Sequence, residues 1–349
     1  MKTDLNQTAP MVSIVIPAYN CQSFIALTVR SIQSQTLKEW ECIIIDDGSS
    51  DGTLALIREL AAADARIRTA TQANGGPASA RNHGLSLISS GSEYVAFMDS
   101  DDIWLPDALE VLKAEIEKHP GAAGAHGMGR CIDKYGAEYL DPAYAANGNG
   151  RFICDSAGRE ILLDPDTPTT FQSLWFSNPY PPGLILTRRA VYEKTGTFDG
   201  SVCPMEDWDM VIRLSRHGHF RFVRKVLLSY RRHDNNLSGQ SASIHGRQIR
   251  LIHHKTYFST ENDPAQRRIA RENCRATELL HLRQKARAGR ERFAKGDIGG
   301  ILSAIAGGCV HLCRYARGYP TRERFEGFRR TTSSVRSATP SPVVSHNPT

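Results

Sequence analysis

Three short apolar runs, each ending in polar residues, constrain the fold of this 349-residue chain more than any other feature. The runs are VSIVIPAYN (12–20), ECIIIDDGSSDGT (41–53) and EYVAFMDSDDIW (93–104), and helix-like stretches separate them. Runs rich in β-branched residues are typical of strands buried on both faces. Their alternation with helices predicts βαβ units and a mostly parallel sheet. Pro17 is expected to end the first strand, because proline cannot donate to the hydrogen-bond ladder.

A nucleotide site is expected where the second of these strands ends. That strand leads directly into two carboxylates and a glycine, Asp46, Asp47 and Gly48. Ligands of open α/β sheets bind beyond the carboxyl ends of the strands. The later segment GGPASARNHGL (75–85) places two glycines before a helix and Arg81 in its early turns, an arrangement that suits a diphosphate. A helix with an ordinary surface arginine is the alternative for this segment taken alone.

A metal site is expected where the third strand ends, at Asp99, Asp101 and Asp102. Neighbouring carboxylates repel one another, and a divalent cation among them lowers that cost at the mouth of a buried strand. Oxygen ligands suit Mg²⁺ or Mn²⁺, which would also bind the phosphates of a nucleotide. A solvated acidic loop is the alternative, because a DxD triplet by itself is common.

In this order, the motifs VSIVIPAYN, IIIDDGSSDGT, GGPASARNHGL, FMDSDDIW and FDGSVCPMEDWDMVIRLSRHG (198–218) resemble those of the family-two glycosyltransferases. The resemblance runs from residue 12 to about residue 238. It implies an α/β fold of the GT-A type, in which helices flank a mostly parallel mixed sheet and a C-terminal helical extension follows. It also implies transfer of a sugar from a nucleotide-diphosphate donor to an acceptor hydroxyl.

The resemblance implies roles for four residues of the donor site. Asp47 would contact the nucleobase, Arg81 would help to hold the nucleotide, and Asp99 would lie near the ribose. Pro17 is placed with them in the same donor site.

Two residues are implied to hold the cation, Mn²⁺ or Mg²⁺. Asp101 would ligate the metal. His233 lies in YRRHDNNLS (230–238), which resembles the family's terminal YRxHxxNxS element, at the position that can hold the metal or the diphosphate. A histidine so placed is also often a structural hydrogen-bonder, so both roles stay open.

The segment MEDWDMVIRL (205–214) carries the expected catalytic base, Asp207. Its apolar residues form one buried helical stripe, so the neighbouring acids point in different directions. An acceptor hydroxyl is a poor nucleophile, and one carboxylate that takes its proton is the least that an inverting transfer requires. No second carboxylate suited to a retaining mechanism is evident. Glu206 is assigned to the acceptor, although capping of the helix explains one of the two acids equally well.

The formal net charge of +6 is divided unevenly along the chain. Residues 1–240 carry 23 Lys and Arg against 29 Asp and Glu, whereas residues 241–330 carry 19 against 8. We expect an N-terminal extension (1–10), a GT-A catalytic domain (11–240), a basic helical extension (241–330) and a tail (331–349). The tail is rich in Ser, Thr and Pro, so we expect it to be disordered.

The basic extension has two interpretations. Its helices pack on the catalytic domain, or they contact an anionic membrane surface through Arg267, Arg268, Arg271, Arg275 and the segment 301–319. No apolar run reaches the roughly 20 residues that a spanning helix needs. We therefore expect a cytoplasmic protein, with peripheral contact at the cytoplasmic face of a membrane under the second interpretation.

The expected function is inverting transfer from a UDP-sugar to a saccharide or lipid-linked saccharide, in cell-surface polysaccharide or glycolipid synthesis. A nucleotidyltransferase that forms nucleotide-sugars would share the strand-end acids, but it normally carries a basic glycine-rich loop where this chain has PAYNCQ. A non-catalytic nucleotide-sugar-binding module would lack an acid of the set, and none is missing. Nucleic acid is not an expected partner, because the basic third lacks interleaved aromatic residues.

Overall fold

The computed structural model of the protein describes residues 10–141, 144, 151–176, 178, 181–239, 242–294, 297 and 303–310. The predicted tail and almost all of the predicted N-terminal extension lie outside this part of the chain, as does most of the segment 301–319.

The amino-terminal third alternates strands and helices, as the apolar runs predict. Its elements are β1 (Val12–Ala18), α1 (Ile25–Gln33), β2 (Trp40–Asp46), α2 (Thr53–Ala63), β3 (Ile67–Thr71), α3 (Pro77–Ser86) and β4 (Tyr94–Phe97). All residues of β1, β2 and β4 are buried, which agrees with strands covered on both faces.

The remaining elements mix antiparallel strands with helices. They are β5 (Ile103–Trp104), α4 (Ala108–Glu117), β6 (Ala122–Ile132), β7 (Glu138–Tyr139), β8 (Phe152–Cys154), β9 (Glu160–Leu162), α5 (Phe171–Leu174), β10 (Ile185–Arg188), α6 (Arg189–Thr195), α7 (Glu206–Leu214), β11 (His219–Arg231), α8 (Ala242–Phe258) and α9 (Pro264–Ala294).

The main sheet is mixed and has the strand order β3-β2-β1-β4-β10-β6-β11-β5, with β7 paired to β6. Strands β3, β2, β1 and β4 are parallel to one another, β10 runs antiparallel between β4 and β6, and β11 runs parallel to β6. Helices pack on the sheet around fully buried residues such as Ile14, Ile44 and Leu109. The carboxyl ends of β1, β2 and β4 therefore share one edge of the sheet.

Pro17 does not end the first strand, contrary to the expectation from the sequence. Strand β1 pairs with β2 as far as Ala18, whereas its pairing with β4 stops at Val15 and Phe97. The carbonyl of Val15 faces β4, where it accepts the N–H of Met98. The backbone nitrogen of Pro17 faces the same side of the strand as this carbonyl. It lies two residues further along β1, beyond the end of β4. Its missing N–H is needed by no neighbouring strand, so the proline is tolerated inside β1.

The basic extension is helical, and its described part packs on the preceding residues. The ring of His253 in α8 stacks on Trp175 at 4.5 Å, and its Nε2 lies 2.7 Å from the carbonyl oxygen of Trp175. The indole N–H of Trp175 in turn donates to the hydroxyl of Thr277 in α9 at 3.0 Å. Within the described part of the chain, no helix is long and apolar enough to span a membrane.

Candidate active site

The carboxyl ends of β1, β2 and β4 open onto a cleft of about 1220 Å³. The start of α3, the first turn of α7, the segment after β11 and one face of α8 complete its walls. Eight of the residues that the sequence assigns to the site line this cleft: Pro17, Asp47, Arg81, Asp99, Asp101, Glu206, Asp207 and His233. The fold thus brings together residues from both ends of the predicted catalytic domain.

Asp47 holds the glycine loop that precedes α3. Its Oδ1 accepts the backbone N–H of Gly75 at 2.9 Å, and its Oδ2 accepts that of Gly76 at 2.8 Å. Gly48 has a φ of +74°, and a Cβ there would lie 2.9 Å from the backbone nitrogen of Asn74, so only glycine fits. The carboxylate therefore fixes the loop beside the cleft, while its contact with a nucleobase stays a prediction.

Arg81 joins the donor side of the cleft to α7. Its Nη2 donates to Asp99 at 2.7 Å, and its Nη1 donates to Glu206 at 2.6 Å. Burial by itself lowers the pKa of Arg81, but the carboxylates of Asp99 and Glu206 outweigh it and raise the pKa. The side chain is only 5% exposed, so the alternative of an ordinary surface arginine is wrong. This triad of Arg81, Asp99 and Glu206 connects α3, the loop after β4 and the first turn of α7.

Asp207 lies next to this triad and has a separate environment. Its Oδ2 accepts the amide N–H of Asn178 at 2.9 Å, and its Oδ1 accepts the backbone N–H of Trp208 at 2.7 Å. Burial raises the pKa of Asp207 to about 7, and the charge of Glu206 adds to that rise against the opposing effect of Arg81. A carboxylate with a pKa near neutrality is suited to accept a proton from a hydroxyl.

The acids of α7 point in different directions, as their helical spacing predicts. Glu206 faces Arg81 and Asp207 faces Asn178, whereas Asp209 is bonded to Arg213 at 2.9 Å. The apolar residues of the predicted stripe are all buried, namely Trp208, Val211, Ile212 and Leu214.

The three carboxylates after β4 do not converge on one cation, contrary to the expectation from their spacing. Asp99 is bonded to Arg81, and Asp102 is fully buried with its Oδ1 accepting the backbone N–H of Arg231 at 2.9 Å. Burial raises the pKa of Asp102 well above its ordinary value, and the charges of Asp101 and Asp99 raise it further. Asp99 and Asp101 both line the cleft, and Asp101 is the one of the two that is not paired with Arg81.

His233 lies against Asp101 at the end of β11. Its Nε2 is 2.9 Å from Asp101 Oδ2, and its Nδ1 accepts the backbone N–H of Asn235 at 3.2 Å. Phe24 stacks on the imidazole with ring centroids 4.8 Å apart. Because Nδ1 is an acceptor, the neutral ring carries its proton on Nε2 and donates it to Asp101. Of the two roles predicted for His233, this arrangement shows that of a hydrogen-bond partner. Its role as a metal ligand stays a prediction.

A model of the family described as glycosyl transferase family 2 matches residues 13–194, which is more than half of the chain. The chain belongs to glycosyltransferase family 2. It is 33% identical to an Escherichia coli chondroitin synthase over 235 residues, which cover 67% of this chain and 31% of the synthase. This family-2 chain thus matches about a third of the length of that relative.

Two solved structures have a similar fold. Residues 1–349 of TarS from S. aureus, in complex with UDP-GlcNAc, align with a TM-score of 0.58 at 16% identity over 89% of this chain and 93% of that one. The mannosyltransferase PcManGT from Pyrobaculum calidifontis, in complex with GDP-Man and Mn²⁺, aligns with a TM-score of 0.57 at 16% identity. That alignment covers 95% of this chain and 82% of the mannosyltransferase. The predicted GT-A fold with a C-terminal helical extension is confirmed.

The cleft of this family-2 chain fits a cation held by few protein groups. The described residues contain no group of three His, Cys, Asp or Glu side chains that could hold a metal ion. Magnesium and similar hard cations are often bound by one or two carboxylates together with substrate phosphates. Asp101 fits that chemistry, since its described hydrogen bonds fall on Oδ2 and leave Oδ1 available.

Several residues of the cleft were not predicted from the sequence. Asn178, which bonds to the expected base, lies in none of the motifs quoted from the sequence. His245 and Ile249 come from α8, beyond the predicted end of the catalytic domain. Phe176 and Tyr230 add aromatic surface to the same wall. Tyr230 lies in the quoted motif YRRHDNNLS, which assigned it no role, whereas no motif marks the other four, whose place in the cleft depends on the packing of α8 and of the loop after α5.

Proposed function

We propose that this protein is an inverting glycosyltransferase that moves a sugar from a nucleotide-diphosphate-sugar to an acceptor hydroxyl. The observation that carries the proposal is Asp207, whose pKa burial raises to about 7, in the same cleft as Asp47, Arg81 and Asp101. A base of this pKa accepts a proton efficiently near neutral pH. Membership of glycosyltransferase family 2 supports the same reaction class.

The chain's own residues account for the proton transfer. Asp207 takes the proton of the acceptor hydroxyl as the hydroxyl oxygen bonds to the anomeric carbon and the bond from that carbon to the diphosphate breaks. Asn178 and the N–H of Trp208 hold the carboxylate in place. Glu206 is paired with Arg81, so its Oε1 already accepts a guanidinium N–H. One base on the acceptor side suffices for inversion at the anomeric carbon.

We infer that the donor is a UDP-sugar and that its nucleotide lies along the ends of β1, β2 and β4. The TarS structure of similar fold contains UDP-GlcNAc, which supports the choice of uridine. In this assignment Pro17 and Asp47 lie beside the uracil of the nucleotide. Arg81 helps to hold the nucleotide, and Asp99 lies by the ribose. The carboxylate of Asp47 fixes the glycine loop at the start of α3, and the N-terminus of that helix favours an anion such as the diphosphate.

Asp101, with His233 beside it, is proposed to hold Mn²⁺ or Mg²⁺. When bound, such a cation neutralises the charge that develops on the leaving diphosphate. The Mn²⁺ in the PcManGT structure supports a divalent cation.

We further propose a saccharide or lipid-linked saccharide as the acceptor, in the synthesis of a cell-surface polysaccharide or glycolipid. The similarity to a chondroitin synthase supports a polysaccharide product. Glu206 borders the acceptor side of the cleft, although its pairing with Arg81 makes it a scaffold for Asp207 as well. We propose a cytoplasmic location with peripheral membrane contact through residues 241–330, since the exposed arginines of α9 include Arg267, Arg268, Arg271 and Arg275.

The test is a panel of nucleotide-sugars with Mn²⁺, in which donor hydrolysis and thermal stabilisation are measured for each nucleotide. We expect one UDP-sugar to raise the melting temperature and to be hydrolysed slowly. Stabilisation without any turnover toward a saccharide panel would favour a non-catalytic binding module. Formation of a nucleotide-sugar from UTP and a sugar 1-phosphate would instead identify a nucleotidyltransferase.

A further inference from the structure

Asn236 lies between the two residues assigned to the cation. Its Oδ1 accepts the backbone N–H of His233, and its Nδ2 donates to Asp101 Oδ2 at 3.3 Å. The same Nδ2 also donates to the carbonyl oxygen of Arg231 at 3.1 Å. One side-chain amide therefore contacts the carboxylate, the backbone of the histidine and the end of β11.

The frame around this amide is fixed independently of it. Asp102 Oδ1 accepts the backbone N–H of Arg231 at 2.9 Å, and the guanidinium Nε of Arg231 donates to the carbonyl of Asp101 at 2.9 Å. Arg231 is 1% exposed and Asp102 is fully buried. The end of β11 and the loop after β4 are thus tied together before any ligand arrives.

Within this frame, the side chains of Asp101 and His233 still need orientation. The carboxylate of Asp101 rotates about its own bonds, and the turn after β11 places His233 beyond the last strand residue. Asparagine meets both needs because its planar amide offers an acceptor for an N–H and a donor for a carboxylate at once. An alanine offers neither, and an aspartate offers only the acceptor.

We propose that Asn236 is a positioning residue that holds Asp101 and His233 in the arrangement that binds the divalent cation. The inference rests on the proposed metal-dependent transfer and assigns the residue that prepares its cation site. Partners that orient the ligands of a metal typically change metal affinity by about 10- to 100-fold when they are removed. Asn236 acts on the orientation of Asp101 whether or not His233 itself ligates the cation.

The experiment measures Mn²⁺ binding to the full chain by electron paramagnetic resonance in the presence of UDP. We expect Asn236→Ala to weaken Mn²⁺ binding by about 10- to 100-fold. The control is Gln284→Ala, which removes an exposed side-chain amide of α9 away from the cleft, and we expect it to stay within about twofold of wild type. A second measurement, UDP binding in the presence of a chelator, should be the same in both variants and in wild type.

Three results would overturn the inference. Asn236→Ala with wild-type Mn²⁺ affinity would show that the amide does not position the site. If Asn236→Ala weakened UDP binding in the presence of a chelator as much as it weakened Mn²⁺ binding, the substitution would disturb the cleft as a whole. If the wild-type protein binds no Mn²⁺ at all, the metal-dependent function fails and this inference fails with it.

Discussion

At the scale of single residues, neighbouring carboxylates of the cleft have different partners and therefore different chemistry. Glu206 is neutralised by a buried guanidinium, and Asp102 is buried in a way that favours its protonated form. Asp207 has neither a paired cation of its own nor full access to water, and burial raises its pKa to about 7. The sequence predicted an acid at position 207. The different environments of Glu206 and Asp207 depend on Arg81, which pairs with Glu206 although it lies 125 residues earlier in the chain.

The first expected outcome concerns Asp207→Asn, which preserves shape and removes basicity. Turnover should fall by about 10²- to 10⁴-fold while donor binding is retained, because the substitution removes a general base. Single-turnover assays and calorimetry with the donor measure the two quantities. Asp166→Asn, an exposed site, serves as the matched control. Equal losses of binding and turnover would point to a structural role for Asp207.

The pH dependence of turnover follows from the same residue. Only the deprotonated carboxylate accepts a proton, so the raised pKa places the loss of activity on the acid side of neutrality. We expect kcat/KM to fall about tenfold per pH unit below pH 7 and to level off above it. A profile that stays flat down to pH 5 would assign the base to another group.

The cation site gives a separate expectation. Asp101→Ala should abolish Mn²⁺-dependent transfer, because it removes the cleft carboxylate of this loop that is not paired with Arg81. Transfer assays with added Mn²⁺ and with chelator measure the effect, and circular dichroism checks the fold. Near-normal turnover of this variant in chelator-treated buffer would contradict the metal-assisted mechanism.

At the scale of elements, the strands formed by apolar runs could be predicted from the sequence. The strand built from small residues could not. Strand β6 has six alanines and glycines among its eleven residues, a composition with little tendency to form strands. Its glycines are needed for close packing, since a Cβ on Gly124 would lie 2.3 Å from the carbonyl of Leu186 in β10. Such a requirement comes from the neighbouring strand and leaves no periodic pattern in the sequence.

Helix α8 is the element whose role the sequence underestimates most. Lys255 donates at 2.7 Å to both Asp199 and Asp209, and the side chain of Asp209 in α7 is 3% exposed. Gln248 donates to the carbonyl of Cys203 at 2.9 Å, just before the turn that leads into α7. The helix that carries the expected base is therefore fixed in part by residues beyond the predicted boundary at residue 240.

Lys255→Ala should consequently lower both stability and turnover. It leaves the buried carboxylate of Asp209 with Arg213 as its one remaining described ion-pair partner, and we expect a loss of about 1–3 kcal/mol in the free energy of unfolding. Urea denaturation measures the loss, with the exposed Lys194→Ala as the control. Unchanged stability and unchanged turnover in Lys255→Ala would mean that α8 does not support α7.

At the scale of the whole molecule, helix α9 reconciles the two interpretations of the basic extension. One of its faces is buried against the rest of the chain through Ala270, Asn273, Cys274 and Thr277. Arg267, Arg268, Arg271 and Arg275 are exposed, at helical spacing. The packing interpretation is correct for the first face, and contact of the second face with a membrane stays a prediction.

Co-sedimentation with vesicles tests that contact. The full-length protein should bind vesicles that contain anionic lipid and should be released by salt, because screening weakens the attraction of exposed charges. Changing Arg267, Arg268, Arg271 and Arg275 to glutamine should weaken binding strongly. A control with the same change in charge elsewhere, at Arg30, Arg58, Lys118 and Arg224, should still bind. Recovery of the wild-type protein in the supernatant at low salt would exclude the membrane contact.

The position of His245 and Ile249 in the wall of the cleft has a practical consequence for protein engineering. A chimaera that joins this chain to a relative near residue 240 would pair the cleft of one parent with the α8 of the other. The hybrid would then carry mismatched contacts at Gln248 and Lys255 and a foreign surface in the wall of the cleft. Crossover points after Phe258 keep these contacts within one parent, so libraries built on that breakpoint should contain a larger share of folded and active hybrids.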